Sequence, residues 1–229
     1  MSIIRTNKRK LLRAVYMICV LAVFAAGVQS CDTHEQIDTN IHVGYVLCDD
    51  HSCMPSSLAD SLKKDVVGVV FAGETDDHPP LAVMLKEFKG VFSDTLQSNG
   101  TSTSVTAFDG ESNTVAMLSS VDGNTGRYLC PIARHILNSH TSGQSDYIPS
   151  VAEMREMSSV LSVVNPIIKK YGGDAIATTG DCWYWTSTEV SANSTMQAWL
   201  LSAVNGGIIA TPKTESHKVR AVVRLEYPE

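Results

Sequence analysis

Two acidic triplets, each ending in a histidine, are the first residues in this sequence that could do chemistry. Asp49–His51 and Asp76–His78 both read Asp-Asp-His, and both lie in segments rich in turn-forming residues. Carboxylates beside a histidine can bind a divalent metal, but an ordinary acidic turn contains the same residues. His135 and His140 are spaced i, i+5, which does not place them on one face of a helix. Motifs for serine hydrolases, zinc proteases, phosphate loops and Cys-x-x-Cys sites are missing from the sequence. We therefore predict no catalytic residue, no metal and no cofactor.

The cysteines raise a separate question of redox chemistry. Two of the six lie within the first 31 residues, and the other four are Cys48, Cys53, Cys130 and Cys182. In an exported protein an even number of cysteines permits disulfides, and four of them allow three pairings. The short spacing in CDDHSC favours a local Cys48–Cys53 bond, which would leave Cys130 with Cys182. Free buried thiols are the alternative.

The N-terminus has the pattern of an export signal. A basic segment is followed by an apolar run, Ala14–Gly27, which is shorter than the roughly 20 residues that span a membrane. Val28–Cys31 resembles a bacterial lipobox, in which the cysteine becomes the first, acylated residue of the mature protein. We expect residues 1–30 to be a lipoprotein signal peptide, Cys31 to carry the lipid, and residues 31–41 to be a polar tether. An ordinary signal peptide or an uncleaved anchor is the alternative.

The charge balance bears on the partners of the mature chain. All 24 acidic residues but only 13 of the 18 basic ones follow Ser30, so the mature chain has a formal charge of 13 − 24 = −11. No basic stripe is present, and a nucleic acid partner is therefore not expected. Residues 42–229 are enough for one domain with a sizeable core.

The order of the predicted elements defines the fold class. Strands are expected at residues 42–47, 65–72 and 81–85, the last two joined as a hairpin. A helix is expected from Val151 to Tyr171, begun by a Ser150–Glu153 capping box and broken at Asn165-Pro166. Ser98–Ser104 and Asp109–Asn113 are expected to be loops, and four short strands follow residue 182. Strands, then helices, then strands predict an α+β fold with a mainly antiparallel sheet.

Several motifs then resemble a known family. Tyr184–Glu189 reads YWTSTE, Ala198-Trp199 and Lys213 follow, Val219–Val222 reads VRAV, and Tyr147–Met154 begins YIPS. In this order they resemble the C-type-lectin-like domain at the C-terminus of Lcl-type adhesins and of surface lipoproteins of Gram-negative anaerobes. The resemblance implies a C-type-lectin-like fold, with a mainly antiparallel twisted sheet, two helices and long irregular loops.

Four residues are expected to form the scaffold of that domain. Trp185 and Trp199 are large, mostly apolar groups suited to anchoring the sheet. Arg220 lies in the otherwise apolar strand VRAVV, so a buried guanidinium there needs a partner, and Glu189 is the candidate.

The segment between YWTSTE and VRAV is the expected ligand surface. In the resembled fold this region is exposed, and its small polar residues suit adaptable hydrogen bonding. Alternation along the strand predicts that Leu200 is an exposed contact on the face opposite Trp199. The predicted ligand-binding residues are Ser191, Asn193, Thr195, Gln197, Leu200, Ser202, Asn205, Thr211, Thr214, Glu215 and Ser216. The segment also resembles that of retroelement-diversified proteins, although it lacks their density of Tyr and Asn. Ordinary solvated loops are the alternative.

These observations predict a lipid-anchored ligand-binding protein, an adhesin or display protein, at the outer membrane or cell surface. Its partner would be a protein or glycan of unknown identity, and the membrane would be contacted through the lipid. The alternative is a structural subunit or tip adaptor of a surface filament. An enzyme like the formylglycine-generating enzymes, using Cys130 and Cys182, is less well motivated because the surrounding residues do not match.

Overall fold

The fold is built around one mixed β-sheet of eight strands. The computed structural model describes residues 40–139 and 146–225. The strands are β1 (Val46–Cys48), β2 (Cys53–Met54), β3 (Val66–Ala72), β4 (Leu81–Val91), β5 (Trp183–Glu189), β6 (Gln197–Ser202), β7 (Ile208–Pro212) and β8 (Ser216–Arg224). Their order across the sheet is β2-β1-β3-β4-β8-β5-β6-β7, and β5 and β8 are the parallel pair. The first and last thirds of the domain therefore meet at the centre of the sheet, where β4 pairs with β8.

Helices cover both faces of this sheet. They are α1 (Ser56–Leu62), α2 (Gly110–Ser119), α3 (Pro131–Asn138), α4 (Val151–Ser159) and α5 (Leu161–Lys170). In β3, Val69 and Phe71 face one hydrophobic core together with α4 and α5, whereas Val70 faces a second core with α2 and α3. Coverage of both faces explains why β3 is an almost continuous apolar run rather than an alternating one.

The expected C-type-lectin-like fold with two helices is wrong. The described residues contain five helices around an eight-stranded mixed sheet. Helix α2 begins at Gly110, inside a segment expected to be a loop. The sequence pattern does not predict this helix, because its buried positions include Asn113 and Thr114 and do not form an apolar stripe. Thr114 Oγ1 accepts a hydrogen bond from Ile148 N at 2.9 Å, so hydrogen bonds replace part of the apolar contact that helix periodicity normally reports.

The predicted start of the long helical segment is confirmed, and its predicted break is wrong. Ser150 Oγ accepts from Glu153 N at 3.4 Å, while Glu153 Oε2 accepts from Ser150 N at 2.7 Å, forming the capping box. The segment divides at Val160, and Pro166 lies inside α5. Asn165, next to that proline, holds the loop that follows the helix, because its side chain accepts from Ile176 N at 2.8 Å and donates to Ile176 O at 2.9 Å.

The β3–β4 hairpin is confirmed by the pairing of Val69 with Val83. The predicted signal peptide, Cys31 and nearly all of the predicted tether lie outside the described residues. Within residues 40–139 and 146–225, no helix combines the length and the apolar character needed to cross a membrane.

Candidate functional site

The predicted ligand segment lies at one edge of the sheet. Strands β6 and β7 form an antiparallel hairpin there, with Leu200 paired to Ile209, and β7 is the edge strand. Residues 190–196 and 213–215 lie at one end of this hairpin, where Lys213 N donates to Met196 O at 2.9 Å. Residues 203–207 form the turn at the other end. Five residues of β7 at about 3.3 Å each separate the two ends by about 17 Å.

This geometry divides the predicted ligand residues into groups that the sequence did not distinguish. Asn205 lies at the far turn, away from the other exposed members. Asn193 and Gln197 are half-buried, and Leu200, Ser202 and Thr211 are buried. The exposed members at the shared end are Ser191, Thr195, Thr214, Glu215 and Ser216.

The expectation of an exposed Leu200 is wrong. Its side chain is 3% exposed and packs in the same core as Trp185, while Trp199 packs against the opposite core and is half-buried. The alternation along β6 is present, but both faces of this strand are covered. A strand between two layers has no solvent face on which a contact residue could be displayed.

Several of the polar side chains stabilise the loops that carry them. Asn193 Nδ2 donates to Gln197 Oε1 at 3.4 Å, and Asn205 Oδ1 accepts from Gly207 N at 3.0 Å. Ser202 Oγ accepts from Val204 N at 3.4 Å and contacts Cys182 Sγ at 3.6 Å. These residues therefore hold local turns, as short polar side chains do in ordinary loops.

The edge of β7 offers unpaired backbone groups. Ser202 N donates to Gly207 O at 2.8 Å and Lys213 N donates to Met196 O at 2.9 Å, so residues 207 and 213 face β6. Because antiparallel pairing alternates, the backbone groups of Ile208 and Ala210 point away from β6. Within the described part of the chain, no strand lies beyond β7. Pro212 also points outward, where the missing N–H of a proline removes no bond from the sheet.

Apolar side chains that were not predicted as ligand contacts lie along this edge. Ile209 on β7 is 49% exposed, and Val204 and Met196 in the flanking loops are also exposed. An open strand edge with apolar side chains is a surface on which another strand can pair.

The buried end of the segment is held by an ion pair that differs from the predicted one. Glu189 pairs with Lys213 rather than with Arg220, and both side chains are at most 1% exposed. Lys213 Nζ also donates to Gln97 O and to Asn99 Oδ1, each at 2.9 Å. Glu189 Oε1 accepts from Asn99 N at 2.7 Å. The cluster joins the end of β5, the β7–β8 turn and the loop after β4.

Arg220 stabilises a different place, an irregularity in β4. The β4–β8 register shifts between Val83 and Glu87, which frees backbone carbonyls from the ladder. Arg220 Nη1 donates to Met84 O at 3.1 Å and to Leu85 O at 2.8 Å, and Nη2 donates to Glu87 Oε2 at 3.3 Å and to Asp174 O. Burial lowers the pKa of this guanidinium, and the Glu87 carboxylate opposes that shift.

The two Asp-Asp-His triplets have different surroundings. Asp50 pairs with Lys64 on the surface, and this hydrogen bond lowers the pKa of its carboxyl. His78 is 5% exposed, stacks on Phe108 with ring centroids 4.4 Å apart, and lies 3.2 Å from Glu156 Oε2. Among the residues that the structure describes, no three metal-ligating side chains converge on one point.

The four cysteines outside the N-terminal segment are free thiols in this structure. Cys48, Cys130 and Cys182 are buried, and Cys53 is half-buried. Burial raises the pKa of Cys53 and of Cys130 to about 12, so both thiols are protonated near neutral pH.

An open apolar groove lies elsewhere, between β4 and α3. Its volume is about 280 Å³, and Met84, Ile136 and Ala221 contribute to its wall. The rings of Phe88 and His135, which also line it, stack with centroids 4.0 Å apart.

The described fold is thus a helix-covered mixed sheet in which β7 is one of the two edge strands. No family model matches the chain, and no curated protein matches it. Among solved structures, a fimbrial protein from Bacteroides ovatus is similar, with a TM-score of 0.60 and 20% sequence identity over 80% of this chain. The chain spans about half of that protein, 49% of its length. The likeness shows a shared fold, and it is a second reason for replacing the lectin-like expectation.

Proposed function

We propose that this chain is a component of a surface filament, either a subunit or a tip adaptor, and that the edge of β7 pairs with a strand of a neighbouring subunit. The observation that carries the proposal is the outward-pointing backbone of Ile208 and Ala210 at an open edge. The shared fold with a fimbrial protein supports it. An incoming strand would find backbone donors and acceptors along the edge and an exposed Ile209 beside them.

The matched variants Ala210→Pro and Ala210→Ser test this proposal. Proline removes the outward N–H and places its ring where a pairing strand would lie, but it removes no bond to β6. Serine keeps the outward N–H. We expect that the Ala210→Pro chain is no longer recovered in filaments sheared from cells or in complexes of fixed stoichiometry with other subunits. The Ala210→Ser chain should assemble as the wild type does. Equal assembly of both folded variants would contradict pairing at this edge.

Attachment to the membrane through Cys31 belongs to the same proposal. A multiply acylated cysteine holds a protein on a membrane durably, because each buried methylene contributes about 0.8 kcal/mol. Metabolic labelling with a fatty acid should mark the wild-type chain and not Cys31→Ala. Equal labelling of both would contradict the lipobox assignment.

A second candidate function is capture of a protein or glycan ligand at the shared loop end. The observation favouring it is that Ser191, Thr195 and Glu215 are exposed on loops tied to the buried Glu189–Lys213 pair. Rigidly held polar loops suit ligand recognition. Thr195→Ala with Glu215→Ala should abolish ligand capture without lowering the melting temperature, whereas Asn205→Ala at the far turn should not affect capture. Loss of capture only with Asn205→Ala would place the ligand elsewhere.

A further inference from the structure

A lysine, an asparagine and a glutamate meet in the interior of this domain. Lys213 is 0% exposed, Asn99 4% and Glu189 1%. Lys213 Nζ lies 2.9 Å from Asn99 Oδ1 and forms the ion pair with Glu189 Oε1. Because Oδ1 is bonded to Cγ, the amine is placed beside the carbonyl carbon of a side-chain amide.

The serines around Asn99 orient that amide. Asn99 Nδ2 donates to Ser120 Oγ at 2.9 Å and to Ser93 Oγ at 3.4 Å. The amide nitrogen therefore lies on the serine side and the amide oxygen on the lysine side. This orientation separates the group that would leave from the group that would attack.

Lys213 is shielded from solvent, and apolar side chains form part of its surroundings. Phe92, which is fully buried, lies with its ring centroid 5.2 Å from Nζ. The buried thiol of Cys130 is also nearby in the same core. Burial lowers the pKa of the Lys213 ammonium, while Glu189 opposes that shift. Burial thus favours the neutral, nucleophilic form of the amine.

We propose that Lys213 and Asn99 become joined by an intramolecular isopeptide bond, with Glu189 as the proton carrier. The geometry of the three side chains carries this inference, which does not depend on filament assembly. The bond would connect residues 114 positions apart and would tie the loop after β4 to the β7–β8 turn. A chain crosslinked in this way resists unfolding because its unfolded ensemble is restricted.

The reaction balances without any other reactant. Glu189 first takes one proton from the Lys213 ammonium, and the neutral Nζ attacks Asn99 Cγ. Glu189 then gives a proton to Nδ2 and receives one from Nζ as the Cγ–Nδ2 bond breaks. The products are a secondary amide, a protonated Glu189 and ammonia. Nothing is oxidised or reduced, and the chain loses about 17 Da.

The test is peptide mapping of the full chain after reduction of its cysteines. Trypsin cleaves after lysine and arginine, so Asn99 lies in peptide 90–127 and unmodified Lys213 ends peptide 171–213. The bond would block cleavage after Lys213 and yield 90–127 joined to 171–218, lighter by one ammonia. Lys213→Arg keeps the positive charge but cannot form the bond, and it should release both peptides separately.

An alternative reaction at Asn99 sets the control. Asn99 precedes Gly100, and an Asn-Gly succinimide also loses one ammonia. That loss would stay within peptide 90–127 and would persist in Lys213→Arg, so this result overturns the proposal. If the wild-type chain yields both peptides separately and at full mass, the proposal is overturned as well. This outcome is read from the wild-type chain alone and does not depend on whether a variant folds. Glu189→Gln should remain uncrosslinked, and crosslinking of this variant at the wild-type yield would overturn the role of Glu189.

Discussion

Replacing Arg220 with methionine tests whether the hydrogen bonds of this residue stabilise the irregular part of β4 at the centre of the sheet. Arg220 is fully buried and donates to three backbone carbonyls and to Glu87. Methionine keeps much of the apolar stem but leaves those carbonyls without the guanidinium, at the point where the β4–β8 ladder is already irregular. Breaking a buried ion pair costs about 3–5 kcal/mol, partly because the remaining group loses its compensation.

The surroundings of Glu87 place the expected effect at the lower end of that range. Glu87 is 22% exposed, lies 3.7 Å from Lys218 Nζ, and still accepts from Tyr184 OH at 3.0 Å. The carboxylate therefore remains partly compensated when Arg220 is removed. We expect Arg220→Met to lower the free energy of unfolding by about 3 kcal/mol.

Urea denaturation, followed by tryptophan fluorescence, measures this change. The matched control is Arg127→Met, which removes an exposed pair with Asp94 and should lower the free energy of unfolding by less than about 1 kcal/mol. If Arg220→Met falls within about 1 kcal/mol of Arg127→Met, the hydrogen bonds of Arg220 do not hold the irregular part of β4, and the reasoning is refuted.

Three further predictions address the cap, a buried carboxyl and a buried thiol. Ser150→Ala should lower the free energy of unfolding by about 1–2 kcal/mol in urea, because it removes the side-chain half of the capping box; no change would mean that the cap is dispensable. Burial raises the pKa of Glu153 above its ordinary 4.5, so its contribution to stability is fully present below pH 4.5 and is lost as the pH rises through the raised value. The stability of Glu153→Gln relative to wild type should therefore increase over that pH window, and a constant difference from pH 4 to pH 8 would contradict this sign. Cys130, which is buried and whose pKa burial raises to about 12, should react with a thiol reagent only in urea, and its rapid reaction in the native protein would show that it is accessible.

Local features of the chain were predictable because local residues cause them. The capping box needs only Ser150 and Glu153 three residues apart, and the structure contains it. The β3–β4 hairpin follows from two apolar runs around a turn-rich segment, and it is present. Helix α2 could not be found in this way, because buried hydrogen bonds of Asn113 and Thr114 replace the apolar stripe.

Surface exposure along the ligand segment could not be derived from alternation alone. A period of two separates the faces of β6, and Leu200 and Trp199 do lie on opposite faces. Whether a face meets solvent depends on which helices pack over it, and those helices lie elsewhere in the chain. The open edge of β7 is equally invisible in its own residues, since it follows from the strand order.

By itself, the sequence determined that the buried charges need partners. An arginine in VRAVV and a glutamate after YWTST cannot be buried alone, because an unpaired charge in the interior is too costly. Only the tertiary structure decided which partners they have. Arg220 meets Glu87 because β4 and β8 are neighbours, and Glu189 meets Lys213 because β5 ends beside the β7–β8 turn. Charge pairing acts over a few ångströms of space, and the strand order, rather than the distance along the chain, brings those groups within reach.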